Sequence, residues 1–122
     1  METFIMQTRL APDAIRSPLF LEEHERRAMS RVRTQCPEVR WIHSYAVLGP
    51  CDYVDIFEAP DVETATKVAT IIRTFGHGVT EVWAATPWER FKEIVRELPA
   101  ETDWRAAPTQ SELRQLAHAS RT

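Results

Sequence analysis

A chain of 122 residues, 43% hydrophobic and 27% charged, has the make-up of one soluble domain with a single core. Its 15 basic and 18 acidic residues sum to −3, so no whole-chain field recruits nucleic acid, an anionic membrane or an acidic substrate. The N-terminus lacks the basic, apolar and small-residue order of a signal peptide, no apolar run approaches the ~20 residues that span a bilayer, and Cys36 and Cys51 are too far apart for a zinc knuckle or a Cys-x-x-Cys redox pair, so a cytoplasmic protein with two free thiols is expected.

Thr3 to Leu10 is β-favouring and partly alternating, and Ala11-Pro12-Asp13 closes it with turn chemistry, which predicts a first strand. Ser17 before Pro18 reads as an N-cap with proline in the first helical position, and Glu22, Glu23 and Glu25 place negative charge near the positive end of the helix. Along that helix Phe20, Leu21, His24, Ala28, Val32 and Gln35 fall on one side, and Cys36-Pro37 stops it. Arg26, Arg27, Arg31 and Arg33 decorate the rest; glutamates at pairing distance and the lack of interleaved aromatics mark them as a solvated face.

Val39 to Leu48, rich in β-branched and aromatic residues, predicts a second strand, long at ten residues. Gly49-Pro50-Cys51-Asp52 supplies turn chemistry and Tyr53 to Glu58 alternates again, so an antiparallel hairpin with Cys51 and Asp52 at its tip is expected. Asp61 can cap a second helix carrying Val62, Ala65, Val68, Ala69, Ile72 and Phe75 on an apolar stripe, closed by Gly76-His77-Gly78. Val79 to Thr86 predicts a fourth strand, and Pro87 begins a third helix with Phe91, Ile94, Val95 and Leu98 on its buried side. Beyond Pro99 the chain turns polar; Thr109 with Glu112 makes a capping box for one short helix edged by Leu113, Leu116 and Ala117.

The order βαββαβ plus a helix predicts an α+β, ferredoxin-like domain over residues 1–98 and a polar C-terminal tail over 99–122. Such a domain has a four-stranded antiparallel sheet with both main helices on one face. Trp, Tyr and Ile side chains on the other face would form a larger apolar patch than monomers carry, so a second copy of the chain is expected to cover it.

Gly49, Asp52, Val54, Ile56, Ala59, Pro60 and Asp61 resemble the pattern of the GYD domain family of small bacterial proteins, Gly-x-Tyr-Asp and apolar residues followed by Pro-Asp before a helix. "GHGVTEVWAA" resembles the family's last-strand region, and the likeness runs from residue 1 to about residue 92. It implies a ferredoxin-like subunit that pairs as a dimeric α/β barrel, and no established activity or ligand. Cys51 stands where the namesake tyrosine would be, and Cys36-Pro37 replaces a glycine-rich helix end, so no role tied to that tyrosine is carried over.

Trp41, His43 and Tyr45 alternate on the second strand and are expected on one face; Tyr53, Asp55 and Phe57 alternate likewise on the third. Hairpin register decides whether the two sets share a face, and one loop residue more or less reverses the answer. Asp55, midway along a central strand, is costly to bury without a partner. It reads either as a ligand-binding or proton-transfer group, or as a structural carboxylate paired with an arginine or a backbone donor. His77 lies between Gly76 and Gly78, with Arg73 four residues before it and Glu81 four after. It reads as half of an acid/base couple or as a histidine at the negative helix end, and two such ligands do not make a metal site. At the hairpin tip the neighbouring carboxylate disfavours a Cys51 thiolate, and Asp52 bonding to backbone amides is the favoured reading. Trp41 and Trp83 are core or interface anchors, or line a barrel cavity.

The leading expectation is a homodimer or higher homo-oligomer that binds a small molecule in a cleft between sheet and helices. A subset of His43, Tyr45, Tyr53, Asp55, His77 and Glu81 would form the site, with no metal, no nucleic acid, no membrane and no cofactor specified. A small cofactor-independent enzyme, of isomerase or monooxygenase type with His43 or Asp55 as base, and a protein-interaction module extended by the tail are the two rivals; the first rests on fold analogy alone.

Overall fold

A computed structural model describes residues 1–12, 17–75, 78–99 and 109–119. The elements run β1 (Glu2–Leu10), α1 (Pro18–Gln35), β2 (Arg40–Ala46), β3 (Tyr53–Ala59), α2 (Val62–Thr74), β4 (Gly78–Ala85), α3 (Trp88–Glu97) and α4 (Gln110–Ala119). They fall into two compact units, Met1–Trp88 and Glu89–Thr122.

Local chemistry sets the helix starts in the first unit. Ser17 is extended, and its hydroxyl accepts from the Phe20 amide at 3.1 Å, with Pro18 following in a position that has no use for an N–H. The Asp61 carboxylate accepts from both the amide (2.8 Å) and the hydroxyl (2.7 Å) of Thr64 to start α2. Cys36 caps the end of α1 through its amide on the Val32 carbonyl.

All strand pairs are antiparallel, in the order β2-β3-β1-β4, so β1 and β3 are central and the fold is α+β and ferredoxin-like. Along β1, Phe4, Met6 and Thr8 are buried, as a two-residue period requires. They face Phe57, Asp55 and Tyr53 on β3 and Ala84, Val82 and Thr80 on β4. Phe4, Met6, Phe57 and Ala59 of the sheet join Val32 and Cys36 at the end of α1 and Ala65, Val68 and Ile71 of α2 in one core. Trp41, Phe57 and Phe4 stack in series across three strands, with ring centroids 5.2 and 5.5 Å apart. Phe57 and Val68 have no exposure, and burying side chains of this size stabilises by roughly 1.5–3 kcal/mol each.

The opposite face of the sheet is open: Val79, Tyr45 and Trp83 are 69%, 53% and 50% exposed, and Ile5, Val54 and Ile56 between them are half-buried. No helix among the described residues is long and apolar enough to cross a membrane.

β2 is shorter than its sequence suggests. The Val47 amide bonds to the Asp52 carbonyl at 3.0 Å, closing the loop before Leu48, which is left wholly exposed. In the second unit, Glu112 and Thr109 form the expected capping box: the Glu112 amide donates to the Thr109 hydroxyl (3.2 Å) and the Thr109 amide to the Glu112 carboxylate (3.1 Å). The apolar stripe of α3 is not buried as expected. Phe91, Ile94, Val95 and Leu98 are 38–61% exposed, because periodicity specifies an apolar face and not what covers it.

Candidate functional site

The site begins with an irregularity in β2. Trp41 pairs with Phe57 and His43 with Ile56, so two residues of β2 advance against one of β3, and Ile42 is the extra residue of a β-bulge. The bulge reverses the alternation. Trp41 keeps to the helix-covered face while His43 and Tyr45 pair across to Ile56 and Val54 on the open one, which corrects the expectation that the three share a face. Ser44, three residues after Trp41, now lies on the same face as the indole and directly opposite Asp55. The Trp41 Nε1–H donates to the Ser44 hydroxyl at 2.8 Å.

Between this part of the sheet and the helices is a cavity of about 260 Å³. Met6, Leu10, Leu21, Ala28, Met29 and Ile72 make it mainly apolar; Trp41 and Tyr53 supply aromatic wall, with Tyr45 bordering it from the β2 edge; and Thr8, His24, Glu25, Ser44 and Asp55 supply polar groups. An apolar hollow with a few converging polar groups is the usual form of a small-molecule site. At this volume it lies just below the roughly 300–1,000 Å³ of pockets for drug-sized ligands, which suits a fragment-sized molecule.

Asp55 is perturbed there by its burial. Burial, and secondarily the Glu25 charge, raise its pKa above the ordinary value of 3.8, while hydrogen bonds from Ser44 and Trp41 oppose the rise. Tyr53 is also raised, first by burial and then by the carboxylates of Asp52, Glu25 and Asp55, so its phenol stays protonated and able to donate. The arrangement can bind a hydrogen-bonding group against Asp55, Ser44 and Tyr53 or exchange a proton at Asp55.

The six residues singled out from sequence are thus distributed over two faces. Tyr53 and Asp55 line the cavity together. Tyr45 contributes to its wall from edge strand β2 while its ring lies 5.9 Å from that of His43. His43 and Glu81 are exposed on the open face, Glu81 opposite Gln7. His77 lies outside the described residues, and Arg73, four residues before it, donates to the Thr80 carbonyl at 2.7 Å. Among the described residues no group of three or more His, Cys, Asp or Glu side chains could hold a metal ion.

Sequence reasoning missed His24 and Glu25 as site residues. His24 does fall on the inward side of α1, where its ring packs at 6.0 Å from Phe20 and 5.4 Å from Phe75. A histidine on an otherwise apolar helical stripe was the available signal. At the hairpin, the Asp52 carbonyl closes the turn on Val47, while its carboxylate and amide reach across to β1: the carboxylate accepts from the Leu10 amide at 2.7 Å, and the Asp52 amide donates to the Thr8 carbonyl at 2.9 Å. Cys51 beside it is half-buried and unbridged.

In fold the chain is similar to the crystal structure of TTHA0845 from Thermus thermophilus, with 20% identity, 71% of this chain and 95% of that chain covered, and a TM-score of 0.48. It is similar also to FFRP-DM1 (22% identity, 70% and 100% covered, TM-score 0.46) and to SCO4226 from Streptomyces coelicolor A3(2) (14% identity, 69% and 96% covered, TM-score 0.46). No curated protein matches it. The family model of the GYD domain matches residues 4–95 of the 122, from β1 into α3, and the chain therefore belongs to the GYD domain family.

Proposed function

We propose that this GYD domain protein is a small-molecule-binding homodimer whose ligand sits in the cleft between sheet and helices, one cavity per subunit. The observation that carries the reading is Asp55: a carboxylate on a central strand, turned toward a mainly apolar cavity, in line with a Ser44 hydroxyl and a Trp41 N–H, and with no cationic partner among the described residues. A structural carboxylate at such a place is expected to be matched by an arginine or a lysine; one facing a cavity is matched by what enters it.

Pairing of two copies through the open sheet face is supported by the row His43, Ile56, Ile5 and Trp83 that runs across all four strands. Covering such a face removes apolar surface that an isolated domain would leave in water. The paired face is the one away from the helices, and Tyr45 at the β2 edge is the cavity residue that lies on it. A cytoplasmic location is part of the same reading.

Native mass spectrometry of the freshly purified chain tests both parts. Two-chain ions are expected, carrying added mass when ligand is retained, and an Ala28→Trp variant that fills the cavity should stay two-chain and lose the added mass. Single-chain ions throughout the micromolar range contradict the pairing, and added mass that persists in Ala28→Trp contradicts the site. A proton-transfer enzyme is the second reading, favoured by the raised pKa of Asp55 in this cavity; its base is then Asp55 and not His43, which faces away from it.

A further inference from the structure

The ionisable wall of the cavity is weighted toward acid, two carboxylates with the His24 imidazole and the Tyr53 phenol beside them. Asp55 and Glu25 both contribute to the wall, whereas no lysine or arginine among the described residues does. Arg33 lines an adjoining hollow of about 210 Å³ that shares Glu25, Trp41 and Ser44 with the cavity, yet it makes no ion pair with Glu25. Burial is the first cause that raises Tyr53 and Asp55, and the charges that add to it come from the neighbouring carboxylates Asp52, Glu25 and Asp55 on Tyr53 and from Glu25 on Asp55. An anion entering it meets like charge from Asp55 and Glu25.

The rest of the wall favours the opposite sign. Trp41 and Tyr53 present aromatic surface beside the two carboxylates, and a cation next to an aromatic face gains from the ring's quadrupole as well as from the carboxylate. A charge-assisted bond from N–H to carboxylate is roughly twice as strong as a neutral one. The apolar remainder, from Met6, Leu21 and Met29, accommodates a hydrocarbon or aromatic body.

We propose that the cavity is selective for small organic cations, an ammonium group on a compact apolar body, with Asp55 and Glu25 as the countercharges and Trp41 and Tyr53 as the aromatic contact. The inference rests on the cavity being the ligand site. It excludes phosphates, carboxylic acids and other anions as the natural ligand class, and it makes Asp55 a binding residue whether or not a reaction follows.

The test uses three probes of one shape, 2-phenylethylamine, 2-phenylethanol and phenylacetate, titrated into the full chain and followed at the Trp41 indole N–H by ¹H–¹⁵N NMR. The amine is expected to bind about tenfold or more tightly than the alcohol, the scale of one charge-assisted contact, with phenylacetate weakest. Asp55→Asn and Glu25→Gln should each bring the amine toward the alcohol while leaving the alcohol unchanged. Equal binding of amine and alcohol, or preference for phenylacetate, with Trp41 still responding, overturns the charge selectivity and leaves the small-molecule site standing. No response at Trp41 to any of the three overturns the selectivity and counts against the site as well.

Discussion

The Asp52 carboxylate accepts a 2.7 Å hydrogen bond from the amide of Leu10, forty-two residues earlier in the chain. With the Asp52 amide on the Thr8 carbonyl and Arg9 Nε on the Pro50 carbonyl at 3.0 Å, it fastens the β2–β3 loop to the end of β1. Leu10 and Tyr53, one on each side of this clasp, both line the cavity. Hydrogen bonds to charged groups contribute roughly 1.5–3 kcal/mol when protected, and this one is exposed, so Asp52→Ala should cost about 1–2 kcal/mol by urea unfolding. Asp52→Asn, which keeps an acceptor, should cost less; an unchanged urea midpoint for Asp52→Ala would remove the clasp from the account.

Gly78 opens β4 against the end of β1. A Cβ there would collide with the Arg9 carbonyl oxygen and lie 3.2 Å from the Leu10 Cα, both backbone atoms that cannot swing aside. Gly78→Ala is expected to destabilise by about 1–3 kcal/mol through overpacking, measured by thermal or urea unfolding. Full stability in that variant would mean that β1 and β4 do not approach this closely.

Asp55 and Asp61 should respond to acid in opposite senses. Asp61 is held below the ordinary carboxyl value by the Thr64 hydroxyl and amide, so its contribution is present above that value and lost as pH falls through its lower folded pKa. Asp55 is raised above 3.8, first by burial, so folding disfavours its ionised form and the loss sets in as pH climbs from 3.8 through its higher folded pKa. Thermal unfolding from acid to neutral pH should therefore find Asp55→Asn more stable than the wild type at neutral pH and equal to it in acid. For Asp61→Ala the variant should be less stable at neutral pH and nearly equal in acid. A neutral-pH loss in Asp55→Asn would show that the Ser44 and Trp41 bonds outweigh desolvation.

Much of this fold is written locally. Ser17-Pro18, Pro60-Asp61 and the Thr109/Glu112 box specify their helix starts through side chains that reach amides one turn away, so they can be read residue by residue. The place of Trp41, His43 and Tyr45 is different. Their faces depend on the bulge at Ile42, a property of how β2 pairs with β3, and strict alternation puts all three on one side. Asp55 was recognisable as a costly carboxylate on a central strand, whereas its neighbours His24 and Glu25 come from α1 and meet it only through tertiary packing. The α3 stripe of Phe91, Ile94 and Val95 shows the same limit, since amphipathic spacing carries no information about a partner.

If the open sheet face pairs two copies, a charge at its apolar row should separate them. Trp83 is half exposed and stands opposite Ile5. Trp83→Glu is expected to sediment as a monomer at concentrations where the wild type sediments as a dimer, with its fold retained by circular dichroism. A variant that remains dimeric would place the interface elsewhere.

Two tryptophans report on the two faces of one sheet, Trp41 in the cavity wall and Trp83 on the open side, and their indole N–H resonances in a ¹H–¹⁵N NMR screen with neutral, cationic and anionic fragments test the central claim most directly. Fragments that bind should move Trp41 and leave Trp83 in place. Fragments that move Trp83 alone, or a library that moves neither, would contradict a ligand site between the sheet and its helices.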